Sequence, residues 1–268
     1  MIVGYYINSS ENINNNIELI KSLKLKTALQ IFVTNPRSGG EINYQTEYNN
    51  LNYLVIHGSY IDTPWNLNYK SFYNINKELE IGESINSNGL IIHMSKKTNE
   101  NINKVLKNLN LRNQILYLEI NAAKANKDTF ETPEKLNNLF SKINNKDNKI
   151  GLCIDTAHLY SLGINFSKYN DVANWFESFY SYDSLKNLNI VIHLNDSKKE
   201  LGSGKDEHAN LFMGNIWKDR YDPDSGLLYL FELCKINKIP IIFERNNIEN
   251  SILDLNICSN YNKSKNLY

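Results

Sequence analysis

The sequence predicts an α/β fold: a (β/α)8 TIM barrel with a metal site at the carboxyl-terminal face of its strands. Three observations carry that prediction. Short β-branched or aromatic runs alternate with longer amphipathic stretches along the whole chain, the pattern of βα units wrapped on a parallel sheet. The apolar run Gly151-Leu-Cys-Ile-Asp155 ends abruptly in a carboxylate, with His158 three residues on, and such barrels keep their catalytic groups at the carboxyl ends of strands. All five histidines, His57, His93, His158, His193 and His208, sit at or just after a β-rich run.

Taken in order, residues 2–7 read as strand one and 15–23 as its helix. Residues 27–33 form strand two, which ends in the Pro- and Gly-marked loop Thr34-Asn-Pro-Arg37-Ser-Gly-Gly. Strand three is 53–56 with His57 at its end, and 69–84 is helical. Strand four, 90–92, is closed by His93 and followed by a helix over 101–109. Strand five, 115–118, is closed by Glu119, and Thr132-Pro133 opens the next helix with proline at its favoured first position. The run ending in Asp155 is strand six, with His158 in the following turn. Strand seven, 189–192, is closed by His193, and a long loop carries Asp206 and His208. A helix over 226–235 leads to strand eight, 239–243, closed by Glu244. Eight strands in 268 residues are what one barrel needs. With no linker or repeat in view, residues 1–268 are expected to form a single domain.

Composition narrows the function classes. The hydrophobic fraction is 41% and no run approaches the ~18 apolar residues of a spanning helix, so no membrane partner is expected. The amino-terminal apolar stretch is too short and uncharged for a secretory signal. Lys+Arg and Asp+Glu balance at 29 each, so any nucleic acid must be held by a local patch. Cys153, Cys234 and Cys258 are odd in number and lack C-x-x-C spacing, which argues against a disulfide framework and a cysteine zinc site. A soluble, intracellular, reducing compartment follows: the cytoplasm, with the nucleus or a viral factory as alternatives. Heavy use of Asn, Ile, Lys and Tyr suggests an AT-rich coding genome.

The strand ends and their loops present His57, His93, Glu119, Asp155, His158, His193, Asp206, His208 and Glu244. Any one of these could be a satisfied buried histidine or a structural ion pair. Together, in chain order, they form an imidazole and carboxylate donor set suited to zinc, manganese or iron, and too large for one ion. Such clusters do phosphoryl chemistry, activating water and clamping both the attacking and the leaving oxygen. Three divalent ions would bring about +6 against −4 from the carboxylates, which favours an anionic substrate.

At these residues the sequence resembles the endonuclease IV family of apurinic/apyrimidinic endonucleases over nearly its whole length. Cys153-Ile-Asp155-Thr-Ala-His158 is the strongest segment. Ile192-His193-Leu-Asn-Asp196-Ser-Lys198 and Lys205-Asp206-Glu-His208 are nearly as specific, and Asn35-Pro-Arg37, His57-Gly-Ser-Tyr60, Leu118-Glu119 and Phe243-Glu244 support them. The resemblance implies a trinuclear zinc site, with manganese able to serve at some positions. His57, His93 and Glu119 would hold the first zinc. Glu119 would bridge to a second held by Asp155, His193 and Glu244, and His158, Asp206 and His208 would hold the third. Glu119 and Glu244 would be the catalytic carboxylates. Tyr60 and Ile61 match where the family inserts side chains into the duplex, and Arg37, in the Pro-marked loop after strand two, is placed to reach the same duplex. The chain departs from the family pattern after His93, after Glu119 and after His208, and Tyr5-Tyr6 stands where the family has a first-strand histidine.

Arg37, Lys96, Lys97, Lys124, Lys127, Lys198, Lys199, Lys205 and Arg245 follow strands, which places them on the metal face as a rim able to track phosphates. The resemblance thus implies a monomeric, zinc-dependent DNA repair endonuclease. It would cut 5′ to abasic sites in double-stranded DNA and carry 3′-phosphodiesterase activity. Two other classes compete: a sugar isomerase or epimerase using one divalent ion on Glu119, Asp155, His193 and Glu244, and a non-catalytic DNA-binding relic. The first leaves five candidate ligands unexplained, and the second is weakened because no ligand is lost.

Overall fold

A computed structural model describes residues 1–7, 13–40, 42–44, 48, 50–61, 63–145, 147–245 and 247–264. Eight parallel strands close into a barrel: β1 (Ile2–Tyr6), β2 (Lys26–Ile31), β3 (Tyr53–His57), β4 (Gly89–His93), β5 (Ile115–Glu119), β6 (Ile150–Asp155), β7 (Ile190–His193) and, last, β10 (Ile241–Phe243). Between β7 and β10 lies an antiparallel ribbon of β8 (Asp196–Ser197) and β9 (His208–Ala209). The helices are α1 (Ile13–Ser22), α2 (Tyr69–Ser84), α3 (Thr98–Asn108), α4 (Pro133–Phe140), α5 (Thr156–Ser161), α6 (Tyr169–Ser181), α7 (Gly226–Asn237) and α8 (Ile248–Ser264).

Strand alternation divides the core in two. Because successive side chains point to opposite faces, one set packs outward under the helices, and the other, Ala28, Tyr53, Val55, Ile91, Tyr117, Cys153, Val191 and Ile242, plugs the barrel interior. Tyr117 fits only because its neighbours are small. A Cβ on Gly89 or on Gly151 would lie 2.8 or 2.7 Å from its ring.

Predicted and observed elements differ in four places. His158 is not in a turn but in the first turn of α5, because Asp155 caps that helix: its Oδ1 accepts from the backbone N–H groups of Ala157 and His158 at 2.7 and 3.0 Å. The loop carrying Asp206 and His208 is folded into the β8/β9 ribbon, which carries His208 back beside Ser197. Helices α6 and α8 occupy stretches for which the sequence predicts no element. The α6 helix buries Val172, Trp175, Phe176 and Phe179 on one face. The predicted start of α4 holds, with Thr132 accepting from Lys135 N–H and Pro133 at the first helical position. No helix among the described residues is long and apolar enough to cross a membrane.

Candidate metal centre

The parallel register gathers the strand ends at one mouth. His93 pairs with Glu119, and Asp155 with His193, across neighbouring strands. Each donor stands two residues above a plug residue and so shares its inward direction: His57 over Val55, His93 over Ile91, Glu119 over Tyr117, Asp155 over Cys153, His193 over Val191 and Glu244 over Ile242. The strands therefore read as apolar below and ionisable at the rim.

Glu119 is the hub, fully buried at 0% exposure. Its Oε2 lies 3.0 Å from His57 Nε2 and 3.0 Å from His93 Nε2, while its Oε1 lies 3.2 Å from His193 Nδ1. Among the described residues, donor atoms within 4.8 Å of one another form the groups His57–His93–Glu119, Glu119–Asp155–His193–Glu244 and Asp155–His158–His208. Cys153 Sγ also comes within that distance of Glu119 and His193. Asp206 approaches the third group from outside: its two oxygens lie 3.3 Å from His158 Nε2 and 2.9 Å from His208 Nε2. All nine sequence-predicted donors are thus brought together, with Asp155 belonging to two groups.

The far nitrogens of three rings are held in place. His57 Nδ1 lies 2.9 Å from Gly58 O, His158 Nδ1 lies 2.8 Å from Ile120 O, and His193 Nε2 lies 2.7 Å from Gln30 Oε1. A carbonyl partner requires N–H on that side, so the facing nitrogen of each neutral ring is a lone pair aimed at the cluster. Asp155 Oδ2 accepts from Asn195 Nδ2 at 2.7 Å.

Burial alone would lower a histidine and raise a carboxyl, yet the opposite holds for His57, His158, His193, His208, Glu119, Asp206 and Glu244. Burial opposes Glu119 ionising, but His93, His193 and His57 hold it well below the usual carboxylate range. His158 is pushed up to about 10 because Asp155, Asp206 and Glu119 outweigh its desolvation. His57, His193 and His208 are raised, and Asp206 and Glu244 lowered, by the same mutual attraction against burial.

The donor set fits divalent metal. His158 Nε2 and His208 Nε2 are buried and, despite their nearness to Asp206, make no hydrogen bond of acceptable geometry. Both nitrogens face the carboxylates of Asp155 and Asp206 at 2.9–4.0 Å, an arrangement that a shared cation would satisfy. Imidazoles mixed with carboxylates suit zinc or a similar cation.

The cluster opens into a cavity of about 810 Å³ lined by Tyr6, Phe32, Arg37, Tyr60, Met213 and Glu244 among others. Arg37 is exposed in a loop whose turn is closed by Asn35 Oδ1 accepting from the N–H groups of Arg37 and Ser38. Tyr60 N–H donates to Pro36 O at 2.9 Å, tying that loop to the next. Tyr60 and Ile61 are half-exposed, and the Tyr60 ring leans on His57 and His93 with centroids 5.2 and 5.4 Å away. Lys96, Lys97, Lys124, Lys127, Lys198 and Lys205 are exposed, whereas Lys199 pairs with Glu207 at 2.7 Å. Arg245 is a correction. Expected on the rim, it is buried, and its guanidinium braces Asp254 at 2.6 Å and Asn195.

Sequence reasoning missed Gln30, Asn195 and Asp196 as parts of the site. Asn195 and Asp196 lay inside a quoted motif without a role, and the only signal for Gln30 was a polar residue between Leu29 and Ile31 in an apolar strand.

A closed parallel barrel with clustered imidazole and carboxylate donors at its strand ends defines a metal-dependent barrel enzyme. Residues 41–221 match the family described as "Xylose isomerase-like TIM barrel". A "Probable AP endonuclease" of African swine fever virus (isolate Pig/Kenya/KEN-50/1950) is 36% identical over 233 residues, covering 81% of this chain and 78% of the relative. A "Probable endonuclease 4" of Mycoplasma genitalium is 29% identical over 243 residues, covering 81% of this chain and 79% of that one. A crystal structure described as AsfvAP:AG superposes with a TM-score of 0.84 at 30% identity, over 99% of this chain and 98% of that one. The chain belongs to the endonuclease IV family of AP endonucleases, enzymes of the deoxyribonuclease IV type.

Proposed function

We propose that this enzyme hydrolyses the phosphodiester 5′ to abasic sites in double-stranded DNA during base excision repair, that it uses three zinc ions, and that it also removes 3′-blocking phosphodiesters. Manganese would serve at some positions. Residues 1–268 would act as a single domain and as a monomer, since every proposed ligand comes from one chain. The observation that carries the reading is the continuity of donors: Glu119 belongs to two groups and Asp155 to two, so the three groups form one cluster.

His57, His93 and Glu119 would hold one ion, Glu119, Asp155, His193 and Glu244 a second, and His158, Asp206 and His208 a third, with Asp155 reaching toward the last as well. Bound divalent ions supply water activation and charge stabilisation at the phosphate. The protein supplies the rest. Glu119 is sealed and would only bridge, whereas Glu244 borders the cavity and would orient the attacking water. Asn195 Oδ1 accepts from Glu244 N–H at 3.2 Å and fixes that carboxylate's backbone. Arg37 and the exposed lysines would track phosphates, and Tyr60 and Ile61 would enter the duplex where a nucleotide lacking its base is cheap to extrude.

Elemental analysis of the purified protein, beside cleavage of a duplex carrying one abasic site, tests this. Close to three divalent ions per chain and one nick on the 5′ side, lost on chelation, are expected. A single ion per chain, with turnover of a ketose or aldose and none of DNA, would favour the isomerase reading on Glu119, Asp155, His193 and Glu244.

A further inference from the structure

We infer that Gln30 is a positioning residue of the metal centre, locking His193 in the tautomer that presents Nδ1 to Glu119 while holding the carboxylate of Glu244. The inference rests on the function proposed above. Gln30 stands over Ala28 on the inward face of β2, in the layer where six neighbouring strands present their donors, and it is 0% exposed. A primary amide in such a place is costly unless both of its ends are bonded. Both are: Nε2 donates to Glu244 Oε1 at 2.7 Å, and Oε1 meets His193 Nε2 at 2.7 Å.

The chemistry fixes the direction of each bond. An ionised carboxylate only accepts, so the NH2 end of the amide faces Glu244, and the oxygen end must then accept from an N–H on His193 Nε2. In a neutral ring that leaves the lone pair on Nδ1, which lies 3.2 Å from Glu119 Oε1 and 3.4 Å from Glu244 Oε2. One side chain thus sets the orientation of two donors from different strands. Asn195 Nδ2 donates to the other oxygen, Glu244 Oε2, at a longer 3.4 Å and leaves Oε1 to Gln30.

Two variants separate positioning from packing. Gln30→Leu removes both bonds at similar volume, and Gln30→Glu keeps an acceptor for His193 while setting a like charge against Glu244. In both, the chelator concentration that strips the first ion should fall at least tenfold, the scale of losing an outer partner of a ligand. The kcat should fall ~10–100-fold while KM for abasic duplex stays within about twofold, since Gln30 is fully buried and offers no surface to DNA. The slowly exchanging Nε2–H resonance of His193 should persist in the wild type and in Gln30→Glu and vanish in Gln30→Leu. Wild-type metal retention and kcat in Gln30→Glu, the variant of unchanged shape, would overturn the inference even if Gln30→Leu failed to fold. A wild-type protein that neither binds divalent metal nor cuts abasic DNA would instead defeat the functional reading itself.

Discussion

Glu244 is the proposed catalytic residue with an open side, and it carries the sharpest prediction. Glu244→Gln keeps the volume and removes the charge, so the cleavage rate should drop at least ~100-fold, the contribution of a positioned acid or base. The melting temperature should move by only a few degrees; single-turnover cleavage and thermal melts of the same preparation check both. Tyr60 is less separable than its sequence position suggests. Because its ring leans on His57 and His93, Tyr60→Ala should weaken binding to an abasic duplex by about 1–3 kcal/mol, the worth of a stacking platform, and should also loosen the metal held by those two histidines. Titrations against intact and abasic duplexes, run with metal analysis, would show whether the two losses come together. At this scale the sequence was legible where a charge ended an apolar run: a buried parallel strand has few other places for an ionised group. It was illegible for Gln30, an uncharged amide with no spacing signature. Arg245 misled because following a strand does not say which way a side chain turns.

Among the elements, the β8/β9 ribbon is the one the site depends on. Asp196 is fully buried, and its carboxylate accepts from the backbone N–H groups of Ser197, Gly214 and Ile216 at 2.7, 3.2 and 2.8 Å. A Cβ on Gly214 would lie 2.4 Å from Asp196 Oδ1, so only glycine admits this contact. Asp196→Ala would leave those donors unsatisfied at a cost of about 1–3 kcal/mol each where no water reaches them. The expected outcome is a lower melting temperature and loss of the ion at His158 and His208, with the ions around Glu119 retained. Elemental analysis before and after dialysis distinguishes that from general unfolding. The ribbon could not be read in advance because its strands are two residues long, below any alternation pattern. Likewise α5 was hidden because a single residue, Asp155, is both strand end and helix cap, and only the first role leaves a signature in the apolar run before it.

For the molecule as a whole, the clustered charges make stability without metal depend on pH. His158 is raised to about 10 in the folded protein, against about 6.5 when unfolded. A raised pKa contributes stability that is fully present below the unfolded value and lost as pH climbs through the folded one. The chelated protein should therefore melt at progressively lower temperature from about pH 6.5 to 10, and metal uptake near neutral pH should release protons. Thermal melts across that range, and calorimetry in buffers of different ionisation enthalpy, read these outcomes; rising stability over the interval would contradict them. The net charge is +0, so if Arg37 and the exposed lysines of the strand-end loops track phosphates as proposed, affinity for DNA should fall with salt, with a log–log slope steeper than about −2.

The three cysteines have a consequence of their own. All are buried and unbridged, and burial raises each thiol, that of Cys153 to about 12. Peroxide and alkylating agents attack the thiolate, a form these side chains scarcely populate at neutral pH. The folded enzyme should therefore tolerate oxidants that injure DNA bases, taking up no thiol label until it unfolds, although a thiol stands beside its most heavily shared carboxylate.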